Sequence, residues 1–358
     1  MTLTVLGILA VIVGILCLIV YFRSIIRVML INRREQDGIE IFARRVAVFI
    51  VHRLAGDGRD YARVQWAQAW SMPLFLFICV ACWFLLVQFA FSLILLGFRI
   101  EPFWPRAFSS SGSALSTLGF LTPPSLAGQY LAIFEAAIGL AVVILLFTFV
   151  PGYQAAIQAR ERKVGWLYAR TGPRPTSFSL LESLHRSGHL KPGSGVWEDW
   201  ESWFRGLLET HSTTPILAFV PAIYRDTTWL GAASAVLDST SLLVASLDPR
   251  QTESARICRE IGTAAMQTIA AELTLREPGT VASGPDRSFA LMESFDHLYE
   301  RLAALGLPVI EDKDGCRERF IAMRAEYEPS IRLISKKTLM AVNEASVWPH
   351  AEFTPSGN

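Results

Sequence analysis

Three long apolar runs dominate the first 150 residues of the chain, at residues 5–20, 73–98 and 131–150. Each approaches the roughly 20 residues that an α-helix needs to cross a bilayer's hydrocarbon, so the pattern predicts three transmembrane helices. After Lys163 the hydropathy falls, and Thr171-Gly-Pro-Arg-Pro-Thr176 marks a linker. Beyond it apolar positions recur at helical spacing. Trp197, Trp200, Phe204, Leu207 and Leu208 share one face of a helix that closes before Thr213 and Pro215. Further helices are expected over residues 253–275, 288–305 and 316–341, the last kinked at Pro329, with a linker at 277–285. Residues 229–247 raise the question of a fourth span. Asp238, Ser239, Thr240 and Ser241 near their centre favour a buried core helix, because an aspartate is costly in lipid. No run alternates with period 2 long enough to predict a strand.

Between the second and third runs stands Ala107 to Phe120, AFSSSGSALSTLGF. Non-helical backbone is tolerated at membrane depth only where protein buries it or it lines a watery path, and this segment reads as a re-entrant pore loop. Residues 105–117 suit a short helix, with Pro105 in the first turn and a negative partial charge at the far end. Thr117, Leu118, Gly119 and Phe120 follow as a candidate ion path, in which backbone carbonyls from four subunits replace the hydration shell of a cation. The Thr117 hydroxyl is expected to close the inner end, Gly119 to free the backbone, and Phe120 to pack outward against the short helix.

Formal net charge is only +1 over 358 residues, so charge informs by placement. Arg23, Arg27, Arg33, Arg34, Arg44, Arg45, Arg53, Arg59 and Arg63 follow the first run, whereas residues 98–130 hold only Arg99 and Arg106; Arg160, Arg162, Lys163, Arg170 and Arg174 follow the third. The positive-inside rule then puts the amino terminus and the pore loop outside and the carboxy-terminal part in the cytoplasm. A multi-pass protein of the bacterial inner membrane is expected. The first run lacks a basic flank before it and a small-residue cleavage site after it, and reads as an uncleaved anchor. Ile39, Phe42, Val46, Phe49 and Ile50 alternate with arginines, as in an interfacial helix contacting membrane lipid; a soluble helix packed on the cytoplasmic part is the alternative.

The loop resembles the two-transmembrane pore module of the potassium-channel superfamily, especially its small bacterial members. Ala107-Phe108, Ser111, Leu115-Ser116-Thr117, Gly119 and the aromatic Phe120 stand in the family's order, with Pro123 or Pro124 after them, and the likeness spans about residues 73–159. Glu135-Ala-Ala-Ile-Gly139-Leu140 is similar to the family's inner helix, with its early acidic residue and hinge-like glycine. The resemblance implies a homotetramer passing a monovalent cation, potassium being the first candidate, with Glu135 and Gly139 as pore support or gating residues. Glu135 also fits an interfacial carboxylate bonded to the loop, and Gly139 a close-packing glycine. Leu121 stands where the family has its second filter glycine, and Thr122 where an aspartate usually follows; the resemblance therefore stops short of the family's selectivity.

The predicted fold class is an all-α membrane protein, with three transmembrane helices, a re-entrant pore helix with a filter-like loop, and an all-α cytoplasmic domain. The expected divisions are an anchor (1–22), a basic loop (23–71), the pore module (72–160), a helical domain (175–345) and a disordered tail (346–358). No cofactor, metal site, nucleic-acid partner or enzymatic activity is expected. Cys79-Val-Ala-Cys82 lies within an apolar run as filler, His185 and His189 lack an adjoining Glu, and no G-x-G-x-x-G follows a strand. Trp197, Trp200 and Trp203 are expected in a core. The alternative function is a non-conducting membrane-anchored scaffold or sensor whose helical domain binds a partner.

Overall fold

The apolar runs form helices, and the helices outlast them. In the computed structural model, which describes residues 2–30, 37–56, 60–172, 175–191, 193–223, 227–274 and 288–340, the side chains of 2–4 and 288–294 excepted, twelve α-helices account for almost all regular structure. Helix α1 is Thr2–Met29, α2 Gly38–Ala55, α3 Tyr61–Ala69, α4 Ser71–Gly97, α5 Trp104–Leu115 and α6 Leu126–Thr171. Then come α7 Ser177–Arg186, α8 Val196–Thr213, α9 Trp229–Ser246, α10 Glu253–Thr274, α11 Ser288–Ala304 and α12 Lys313–Thr338. Among the described residues there is no strand, only an isolated antiparallel bridge between Leu247 and Val309. The predicted linker at 277–285 and the tail at 346–358 lie outside the described residues.

Four helical stretches among the described residues are long and apolar enough to span a membrane, the composition and length expected of a membrane protein. Their burial separates them. Only 11%, 33% and 22% of the stretches containing α1, α4 and α6 are buried within the protein, against 94% for α9. The first three offer apolar surface outward, and α9 is already covered by protein.

Residue contacts group the chain into two compact units, Met1–Leu54 with Ala69–Ala155, and Ala55–Gln68 with Ala156–Asn358. In the first unit α1 packs along α4, and Gly7 and Gly97 let the two backbones touch: a Cβ on Gly7 would lie 2.8 Å from the Gly97 carbonyl oxygen. One buried hydroxyl joins three helices. Trp83 Nε1 of α4 donates to Ser24 Oγ of α1 at 3.0 Å, and Ser24 donates to Asp37 Oδ1 at 2.7 Å. That carboxylate also caps α2, accepting from the amides of Ile39 and Glu40. Helix α2 buries Ala43, Ala47 and Val51 and leaves Phe42, Arg45, Phe49 and Arg53 exposed on its other face. Arg44 departs from the headgroup-seeking pattern expected for these arginines, being buried and paired with Glu40 at 2.9 Å.

The second unit is built round α9, nearly every residue of which is buried. Asp238 at its centre is fully buried, accepting a hydrogen bond from Tyr327 Oη of α12 at 2.7 Å, with Arg324 Nε at 3.4 Å. Burial and the neighbouring carboxylate push the Tyr327 phenol well above its ordinary range, so it stays a donor. Trp197, Trp200, Trp203, Phe204 and Leu207 form the buried face of α8, where the aromatic spacing placed a core. Helix α6 does not stop at the end of its apolar run. It continues through Pro151 to Thr171, and Arg160 near its polar end enters the second unit's core. There Arg160 donates to the carbonyls of Leu217, Val220 and Pro221 at 2.9 to 3.3 Å and pairs with Glu161 at 2.8 Å. Its Nη1 stands 3.3 Å from His211 Nε2; burial and the guanidinium hold that imidazole well below its usual pKa, which keeps it neutral.

Removing the Tyr327 hydroxyl leaves buried Asp238 short of a donor. Tyr327→Phe is expected to cost about 1–3 kcal/mol of stability, read as a lower thermal midpoint. Arg332→Ala, which breaks an exposed pair with Glu328, is expected to shift the midpoint by less than about 0.5 kcal/mol equivalent.

Candidate functional site

Pro105 at the start of α5 fits the first helical turn, where a missing N–H costs nothing. At 12 residues α5 is about 18 Å long, too short to cross a bilayer. Its buried face is polar: Ser110, Ser111 and Ser113 are all buried, with Ala107 and Leu115 beside them. Such a face in apolar surroundings requires partners, and the neighbouring helices supply them. Gln88, in the middle of α4, donates from Nε2 to the Phe108 carbonyl at 3.0 Å. The Gln88 backbone carbonyl accepts from Ser92 Oγ at 2.6 Å and from Ser111 Oγ at 3.0 Å. Ser111 Oγ also lies within hydrogen-bond reach of Glu135 Oε1 on α6. Its single hydroxyl proton therefore stands between an α4 carbonyl and an α6 carboxylate.

Gly139 lies one helical turn beyond Glu135, where α6 passes the last turn of α5. A Cβ there would stand 2.2 Å from the Leu115 carbonyl oxygen, so only glycine permits this approach. Glu135 and Gly139 thus meet the two halves of α5, the carboxylate at Ser111 and the glycine at Leu115.

After α5 the chain turns sharply. Thr117 has φ 60° and Gly119 φ 68°, left-handed conformations that glycine adopts freely and a β-branched residue only under strain of about 1–2 kcal/mol. The Gly119 amide donates to the Ser113 carbonyl at 3.2 Å, and the Leu121 amide to Ser113 Oγ at 3.0 Å. Ser113 thereby staples both sides of the turn to α5. Leu121 is not among the positive-φ residues, so the backbone there leaves the path that a second glycine would give. Thr117, Leu118, Gly119 and Phe120 are all exposed. Phe120 is 69% exposed and does not pack against α5 as expected; the turn that Ser113 holds carries its ring away. Thr117, Gly119 and Leu121 line a cavity of about 400 Å³ together with Ser113, Gln129 and Ile133.

On the other flank of α5, the Glu101 side chain is fully buried and pairs with Arg106 at 2.8 Å. Spacing and motif marked residues 117–120, Glu135 and Gly139 but missed Gln88 and Ser113. For Gln88 a signal existed, an amide alone in the longest apolar run. Ser113 was one serine among several, and nothing in the pattern distinguished it. Among the described residues no group of His, Cys, Asp or Glu is placed to hold a metal ion. Compared with known proteins, the chain matches no family model, no curated protein and no solved structure.

The close approach at Gly139 predicts a graded response to one methyl group. Gly139→Ala is expected to destabilise the protein by about 1–3 kcal/mol through overpacking, lowering its thermal midpoint in detergent. Gly152→Ala in the same helix, where an added Cβ meets nothing within 4 Å, is expected to be neutral or stabilising by up to about 1 kcal/mol.

Proposed function

We propose that the chain is a subunit of a passive monovalent-cation channel, a fourfold assembly in a bacterial inner membrane, with the pore loop outside and the second unit in the cytoplasm. In this assembly α4 is the outer helix, α5 a re-entrant pore helix, residues 117–120 the filter and α6 the inner helix, as in the potassium-channel module that the motif resembles. Potassium is the first candidate ion.

The observation that carries the proposal is the polar joint at Ser111. An ordinary exposed loop between two membrane helices has no need of buried bonds from Gln88 and towards Glu135, whereas a loop that must hold carbonyl oxygens at fixed positions does. Strain at Thr117 supports the same assignment, since such backbone persists where the surroundings over-determine it. With Leu121 off the left-handed path, the assembly has fewer carbonyl rings than the family's filter, and weaker discrimination among potassium, sodium and lithium follows.

Gly119→Asp tests the filter cleanly. Within the subunit the added side chain meets open space, and aspartate is among the few residues that visit the left-handed region, so the backbone strain is kept small. In reconstituted vesicles the variant is expected to reduce cation flux to that of protein-free vesicles, with insertion and subunit number unchanged. Undiminished flux removes the filter assignment.

A further inference from the structure

A second cavity lies wholly in the second unit, between the polar end of α6 and helix α8, with a volume of about 510 Å³. That size falls in the range of small-molecule sites, about 300–1,000 Å³. Its lining is mainly apolar, with Ala156, Ala159, Leu207, Trp166 and Trp203 among the residues that form it. Both rings are held in place. Trp203 Nε1 donates to the Arg160 carbonyl at 3.0 Å, and the Arg170 guanidinium covers Trp166 at 3.9 Å from its centroid.

Three cationic side chains border the cavity, and two are committed. Arg160 is buried among carbonyls and Glu161. Lys163 Nζ is bound to Asp199 at 2.7 Å and lies over Trp166 and Trp200, so the Asp199 carboxylate on the rim is already balanced. Arg162 is exposed and has no ion pair or hydrogen bond among the described residues. One uncommitted guanidinium beside fixed indole rings matches a ligand with one negative charge and a flat apolar body.

We propose that this cavity binds a soluble aromatic monoanion such as an aryl carboxylate, its charge on Arg162 and its ring against Trp166 and Trp203. A lipid headgroup offers a similar charge, and competition by an anionic lipid separates the two sources in the test.

The test uses the full chain in phosphatidylcholine nanodiscs, with 1-naphthoate binding measured by equilibrium dialysis above uptake by empty discs. One saturable site per chain is expected. Affinity is expected to fall at least about tenfold, the scale of one charge-assisted hydrogen bond, for 1-naphthalenemethanol, for acetate, and for naphthoate on Arg162→Gln. Arg162 is exposed, so the variant keeps its core. No saturable naphthoate site, or one unaffected by Arg162→Gln, overturns the proposal. Competition from phosphatidylglycerol in the discs, relieved by Arg162→Gln, also overturns it by making the ligand a lipid.

Discussion

The hydroxyl of Ser111 is the constraint on which the arrangement of the first unit depends. It sits where a short polar helix meets two apolar ones, within bonding distance of the Gln88 carbonyl on one side and the Glu135 carboxylate on the other. Each of those groups would be expensive to bury alone. Together they fix α5 at one rotation and one depth, because a slip by a single residue would withdraw both partners. The turn after α5 and its approach to α6 inherit this register. Ser113, two residues on, is brought to the point where it bonds both Gly119 and Leu121, and Leu115 is pressed against α6 closely enough to exclude any side chain at position 139.

The second unit solves the opposite problem by similar means. Its central helix is apolar enough to pass for a membrane span, yet it carries an aspartate at its midpoint. Tyr327 and Arg324 meet that carboxylate from α12, and the pairing gives α9 a defined neighbour instead of lipid. Breaking such a buried pair is far costlier than its net contribution to stability suggests, since the remaining charge has no water to turn to. In both units, buried polar groups select one arrangement among the many that apolar packing alone would allow.

This division also accounts for what could be read from the chain. Apolar length announced α1, α4 and α6, a central Asp238 separated α9 from them, and Pro105 with its serines announced α5. The continuation of α6 past Pro151 was hidden because hydropathy ends at Val150, although the Ala, Gln, Arg, Glu and Lys that follow are good helix formers. Helix α3 was missed for a related reason: nine residues carry too little periodicity to stand out. At the candidate site the motif located residues 117–120, Glu135 and Gly139, while the partners that hold them, Gln88 and Ser113, depend on the rotation of helices about their axes. That rotation is a property of packing. The exposure of Phe120 belongs to the same class, since the staple at Ser113 decides where the ring goes.

The central claim is that this polar joint holds an ion path. Flux through purified wild-type protein in sealed vesicles, measured in turn for potassium, sodium and lithium, tests it most directly. The account predicts protein-dependent flux of monovalent cations with only modest preference among the three. No flux of any of them, from protein shown to be inserted and assembled, would contradict it.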